Sequence, residues 1–150
     1  MALSDDQLRA LVHDRSKYPP CALHLGIEPL EYSVDGGWAE VAFNPRPEFA
    51  NPAGYVQGGF VCAMLDDAMS FAATLSRRFE TMMVTLQTSV SYLRPTPIAR
   101  VIARGEVLRF GTAGVAMQGT LRNSDGQVLA VATATAVPRP FTRQLQEGLG

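Results

Sequence analysis

The chain has 150 residues, 47% hydrophobic and 18% charged, with a formal net charge of -1. That length fits one domain with a real core, and so small a charge gives no general attraction to nucleic acid or to an acidic membrane surface. The charged share lies below the roughly 25% usual for soluble domains, which suits a chain that hides part of its surface in an oligomer.

Lys17 is the only lysine, so the positive charge is nearly all arginine, the residue that makes forked contacts to phosphate and carboxylate. The N-terminus carries Asp5 and Asp6 where a secretory signal has a basic region. No apolar run reaches the roughly 18 residues of a membrane span; residues 58–75 are interrupted by Asp66, Asp67 and Ser70. Cys21 and Cys62 are therefore expected to be reduced, buried thiols of a cytoplasmic protein.

Residues 5–15 read as a short amphipathic helix. Ser4 and Gln7 match a capping box, and Leu8, Leu11 and Val12 share one face. Pro19 and Pro20 stop that helix, and an irregular stretch is expected to about residue 30. Strands are expected at 30–34 and 37–43, joined at Asp35-Gly36, a hairpin turn signal. Residues 44–56 carry three prolines and read as loop.

From about residue 59 to 78 the chain holds no proline and exceeds strand length. Apolar residues cover most of the circumference, so this helix should be buried. Its polar exceptions Asp66, Ser70 and Thr74 repeat at i+4 on one face. Beyond Glu80 the period becomes two, with Val84, Leu86, Val90 and Tyr92 alternating with polar residues as far as Pro95. Further strands are expected at 99–109, 113–123 and 127–137, the last two joined by Asp125-Gly126. The order predicts a short helix, two strands, one long helix and four strands in meander, an α+β layout. One domain spans 1–150, with its core at about 20–138 and a loose tail at 139–150. A sheet curled around the helix buries most of it, and a second copy of the sheet would cover the remainder.

The chemistry concentrates between Asn51 and Asp67. Gly58 and Gly59 sit where a loop enters the long helix. The first helical N–H groups have no partner inside the helix and carry partial positive charge, and glycine lets a ligand approach closely. Such an end can polarise a carbonyl as it becomes an oxyanion. Alone, Gly-Gly before a helix more often serves only a tight turn. Asp66 is a carboxylate on an otherwise apolar helix, costly to bury without partners and so held either for structure or for catalysis. Asp66 and Asp67 lie about 100° apart around the axis and cannot serve the same face. One is expected to be functional and the other a surface or network residue. Eight residues separate Gly58 from Asp66, about 12 Å of helix. If both act on one carbonyl, each site needs two subunits, with the helices antiparallel about a two-fold axis.

These residues resemble the hotdog-fold thioesterases of the phenylacetic-acid-degradation (PaaI-like) group, over roughly residues 20–138. The resemblance rests on Asn51, Gly54, Gln57-Gly58-Gly59 and Asp66, and on Val84-Thr85-Leu86-Gln87 followed by Tyr92-Leu93-Arg94-Pro95. It implies an α+β hotdog fold, an antiparallel sheet wrapped around one long central helix, assembled as a homodimer or dimer of dimers. It implies hydrolysis of acyl-CoA thioesters to free acid and coenzyme A, with no cofactor beyond that substrate and no metal.

The Gly58 amide matches the group that polarises the thioester carbonyl, and Asp66 the acid that activates water. Asn51 matches a polar loop residue near the water or thioester. Ser70 matches a hydroxyl that helps place the water in some relatives, Thr85 a small hydroxyl residue at the site in others, and Gly59 belongs to the same substrate-facing turn. Gln57 stands where many relatives have histidine, and glutamine cannot titrate near neutral pH. That departure keeps a second function in view, a non-catalytic acyl-CoA-binding hotdog protein. Other chemistries lack support: there is no Gly-x-Ser-x-Gly elbow, and His13 and His24 with the two cysteines give no metal-ligand spacing.

Overall fold

A computed structural model describes residues 2–141. Helix α1 (Asp5–His13) opens with the expected capping box: Ser4 Oγ accepts from the Gln7 N–H, and Gln7 Oε1 accepts from the Ser4 N–H. Its buried Leu8 and Val12 pack with Ala39, Ala72 and Leu75 in a small second core. Helix α2 (Pro20–Leu25) replaces part of the irregular stretch expected there. Its signals were present: Pro20 sits at the first helical position, where a missing N–H costs nothing, and Gly26 closes the helix in the left-handed region at φ 73°.

Strands β1 (Glu28–Ser33) and β2 (Trp38–Phe43) form the expected hairpin, with a bulge between Pro29 and Glu31. Helix α3 (Gly58–Ser76) follows, then β3 (Thr81–Tyr92), β4 (Val101–Phe110), β5 (Val115–Arg122) and β6 (Val128–Pro140). Every strand pairing is antiparallel, in the order β1-β2-β4-β5-β6-β3. The expected four-strand meander is thus only three strands long. β3 lies beside β6 at the far edge, because α3 carries the chain across the sheet before β3 begins. Residues 93–100, with Pro95 and Pro97, bring it back between β2 and β5. Strand β6 also runs past residue 138, where a loose tail was expected, pairing Pro138 and Pro140 with Met83 and Thr81. Residues 142–150 of that tail lie outside the described residues.

Helix α3 packs against β2, β3, β4, β5 and β6. The sheet can wrap it because its inner face is lined by small residues: Ala103 and Gly105 on β4, Gly119 on β5, and Ala130, Ala132, Ala134 and Ala136 on β6. Met64, Leu65 and Met69 of the helix fill the space those residues leave, and all three are fully buried. By length and composition α3 also meets the requirement for a membrane span, contrary to the sequence expectation. The core helix of a soluble protein meets it too, and nine residues of α3 are buried within this fold. One central helix wrapped by an antiparallel sheet is the hotdog fold.

The cysteines depart from expectation as well. Both are free, but Cys21 is exposed and Cys62 half-buried. Burial and then the Asp66 carboxylate push the Cys62 thiol up, which disfavours the thiolate a nucleophile needs.

Candidate active site

The loop into α3 is held by its own side chains. Asn51 Oδ1 accepts from the Ala53 and Tyr55 N–H groups at 2.9 and 3.1 Å, so Asn51 shapes the turn that delivers Gln57. Gln57 is the N-cap of α3, and its Oε1 accepts from the Gly59 N–H at 2.7 Å. This engages the Gly59 amide and leaves the Gln57 carboxamide N–H₂ as a donor. Among the described residues, no group accepts the Gly58 N–H. The Gly58 carbonyl is held instead by the Tyr92 hydroxyl at 2.8 Å. The helix start therefore presents one free, polarised donor on a turn pinned from both sides.

Asp66 points at β3 of its own chain. Its Oδ1 accepts from Thr85 Oγ1 at 2.8 Å and more distantly from Thr88 Oγ1 at 3.4 Å. In an unbroken strand residues 85 and 88 face opposite sides. The bulge between Thr85 and Gln87 adds one residue and turns both hydroxyls toward the helix. Sequence reasoning found Thr85 and missed Thr88 because a bulge leaves no mark in an alternating pattern. Tyr92 as the clamp on Gly58 was missed too. Gly58 and Asp66 lie eight residues apart on one helix, about 12 Å along its axis.

Ser70 lies one turn beyond Asp66, but it lines a cavity of about 540 Å³ on the flank of α3. Asp67 lines the same cavity. Asp67 as a whole is half-buried, and among the described residues no group donates to its buried Oδ2. Burial, and secondly the adjacent Asp66 carboxylate, push Asp67 up to about 6. The folded chain therefore holds the Asp67 proton more tightly than the unfolded chain does. Its contribution is favourable below the ordinary carboxylate value and is lost as pH rises to about 6. The loss across that window is about 2–3 kcal/mol. Asp67→Asn should therefore gain several degrees of melting temperature over wild type at pH 7.5 relative to pH 4.5. Paired thermal melts at the two pH values check this, and a constant difference would show that Asp67 is not desolvated.

A small-residue sheet around a central helix, with a free amide at the helix start and a hydroxyl-held carboxylate midway along it, defines a hotdog protein. The family model of the Thioesterase superfamily matches residues 53–130, the span from the loop before α3 into β6. The chain belongs to that superfamily.

Among solved structures, the phenylacetic acid degradation-related protein of Ralstonia eutropha JMP134 is 29% identical. The match covers 86% of this chain and 97% of that one, with a TM-score of 0.79. The PaaI protein of the E. coli phenylacetic acid degradation operon is 18% identical, over 90% of this chain and 95% of that one, with a TM-score of 0.78. A Streptococcus mutans UA159 protein bound to acetyl CoA is 20% identical, over 78% of this chain and 91% of that one, with a TM-score of 0.68. The last two likenesses speak to fold alone. A search of curated proteins gives no match.

Proposed function

We propose that the chain hydrolyses acyl-CoA thioesters as a homodimer with two shared active sites. The observation that carries this is the pairing of a free Gly58 N–H with an Asp66 carboxylate held by threonine hydroxyls, on one helix, too far apart to meet within one chain. Water, its proton taken by Asp66, attacks the thioester carbonyl carbon. The carbonyl oxygen becomes an oxyanion at the Gly58 amide of the partner subunit. Collapse breaks the C–S bond, giving the free acid and coenzyme A thiolate, which takes up the proton held by Asp66. The acetyl-CoA-bound fold relative is compatible with a coenzyme A ligand here.

The β3 edge supports the pairing of two chains. It is a twelve-residue edge strand whose outer face exposes Leu86 at 67% and Val84 at 43%. A long apolar edge is a template for another strand. Antiparallel self-pairing centred between Thr88 and Ser89 sets Thr85 opposite Tyr92 of the partner subunit. Thr85 touches Asp66 and Tyr92 touches Gly58, so this register brings the two ends of the site together.

The test is thiol release from a panel of acyl-CoAs, aryl and aliphatic. Saturable acyl-CoA binding without thiol release would instead establish the binding-protein reading that Gln57 motivates. A charge on the shared edge should separate the subunits. Leu86→Glu is expected to sediment as a folded monomer and to lose at least about 100-fold in hydrolysis through misplacement of the reacting groups. A fully active monomer would end the shared-site assignment.

A further inference from the structure

The cavity lined by Asp67 and Ser70 is not explained by hydrolysis alone. It is walled by α3, the N-terminal segment and the start of β3, with Tyr18, Phe71, Phe79, Met82 and Met83 among its lining residues. It adjoins the reacting centre: Ser70 lines it one turn from Asp66, and Met82 and Met83 share β3 with Thr85. Arg78 ties the end of α3 to the N-terminal segment through the Asp5 carboxylate at 2.6 Å and the Leu3 carbonyl at 3.2 Å. Arg78 and Phe79 both sit in the left-handed region, at φ 50° and 59°. That conformation is costly for non-glycine residues, and it sets the Phe79 ring edge-on to Phe71.

Into this mostly apolar space α3 places a carboxylate whose Oδ2 has no donor among the described residues. The Tyr18 hydroxyl, which also lines the cavity, donates instead to the Val12 carbonyl. Lys17 also lines the cavity, yet among the described residues it forms no salt bridge with Asp67. A buried polar atom without a partner is costly, and a ligand that supplies the donor removes the cost. Lys17 already brings positive charge to the cavity, so a neutral donor fits better than a second cation.

We propose that this cavity holds the acyl group and that Asp67 is its specificity-determining residue, accepting a hydrogen bond from a hydroxyl on that group. The inference rests on the acyl-CoA reading above and adds the substrate class. Asp66 serves the scissile carbonyl, and Asp67 projects about 100° away around the helix. The hydroxyl therefore sits several bonds from the carbonyl, toward the far end of the chain.

Paired substrates test it: hexanoyl- to decanoyl-CoA, each with and without a terminal hydroxyl. For at least one length, wild-type kcat/KM is expected to favour the hydroxylated partner by roughly tenfold or more, since a site built for a donor rejects the analogue lacking it. Asp67→Leu should reverse the preference, while Asp67→Asn, which still accepts a hydrogen bond, should keep part of it. Equal or inverted wild-type preference at every length overturns the inference, whatever the variants do. If wild type hydrolyses no acyl-CoA, the catalytic reading fails separately. The pocket is then read by calorimetry with thioether analogues of the same pairs, with the same roughly tenfold difference expected in Kd and equal affinities counting against it. Should Asp67→Leu fail to fold, the wild-type ratio and Asp67→Asn still decide.

Discussion

Replacing Asp66 by asparagine is expected to lower kcat for acyl-CoA hydrolysis by roughly 10³-fold while leaving KM and melting temperature close to wild type. The size follows from the role: a positioned general base contributes about 10²–10⁴-fold, and a carboxamide cannot take the water's proton. The selectivity follows from the geometry. Asparagine has the same shape, and its carbonyl oxygen still accepts from Thr85 and Thr88, which hold Oδ1 at 2.8 and 3.4 Å. The helix should therefore stay seated and the substrate should still bind. A loss carried by kcat with KM unmoved is the signature of an interaction made in the transition state. Equal rates for the two proteins would remove Asp66 from the chemistry. A large fall in melting temperature would recast it as a structural residue.

The frame of the site was legible because it rests on local rules. The capping box before α1, the Asp35-Gly36 and Asp125-Gly126 turns, the long apolar helix and the change of period after Glu80 each lie within a short window, and the structure contains each of them. What escaped depends on distant partners. Nothing near β3 in the chain says that it pairs with β6 rather than β4; the helix path decides that. Nothing near Thr88 announces the bulge that turns it toward Asp66. The alternation at Val84 and Leu86 marks a strand without saying which face is inside, and in one chain both are exposed. Asp67 was the hardest to place, because helical spacing separates it from Asp66 without saying that the chain behind it leaves a cavity.

Of the described glycines, Gly105 leaves the least room for a side chain, where β4 meets α3. A Cβ at Gly105 would stand 2.2 Å from the Ala68 carbonyl oxygen, 2.5 Å from its carbon and 2.8 Å from Met69 Cα. All three are helix backbone, so no side chain can rotate away. Either α3 lifts from the sheet or β4 bends, and both disturb fully buried residues. Gly105→Ala is expected to cost about 3 kcal/mol or more, a fall of about 10 °C in melting temperature for a domain of this size. Gly119→Ala is the matched control. Its added Cβ would meet only atoms of flexible side chains, Met69 Cγ at 3.1 Å, Leu65 Cδ2 at 3.2 Å and Met69 Sδ at 3.3 Å, and should cost about 1 kcal/mol. Ala68 is two residues from Asp66 on the same helix. Any lift at Gly105 therefore also stretches the 2.8 Å contact to Thr85, and activity should fall below wild type even at temperatures where the variant remains folded. Equal melting temperatures for the two variants would show that the helix is not seated on β4 at Gly105.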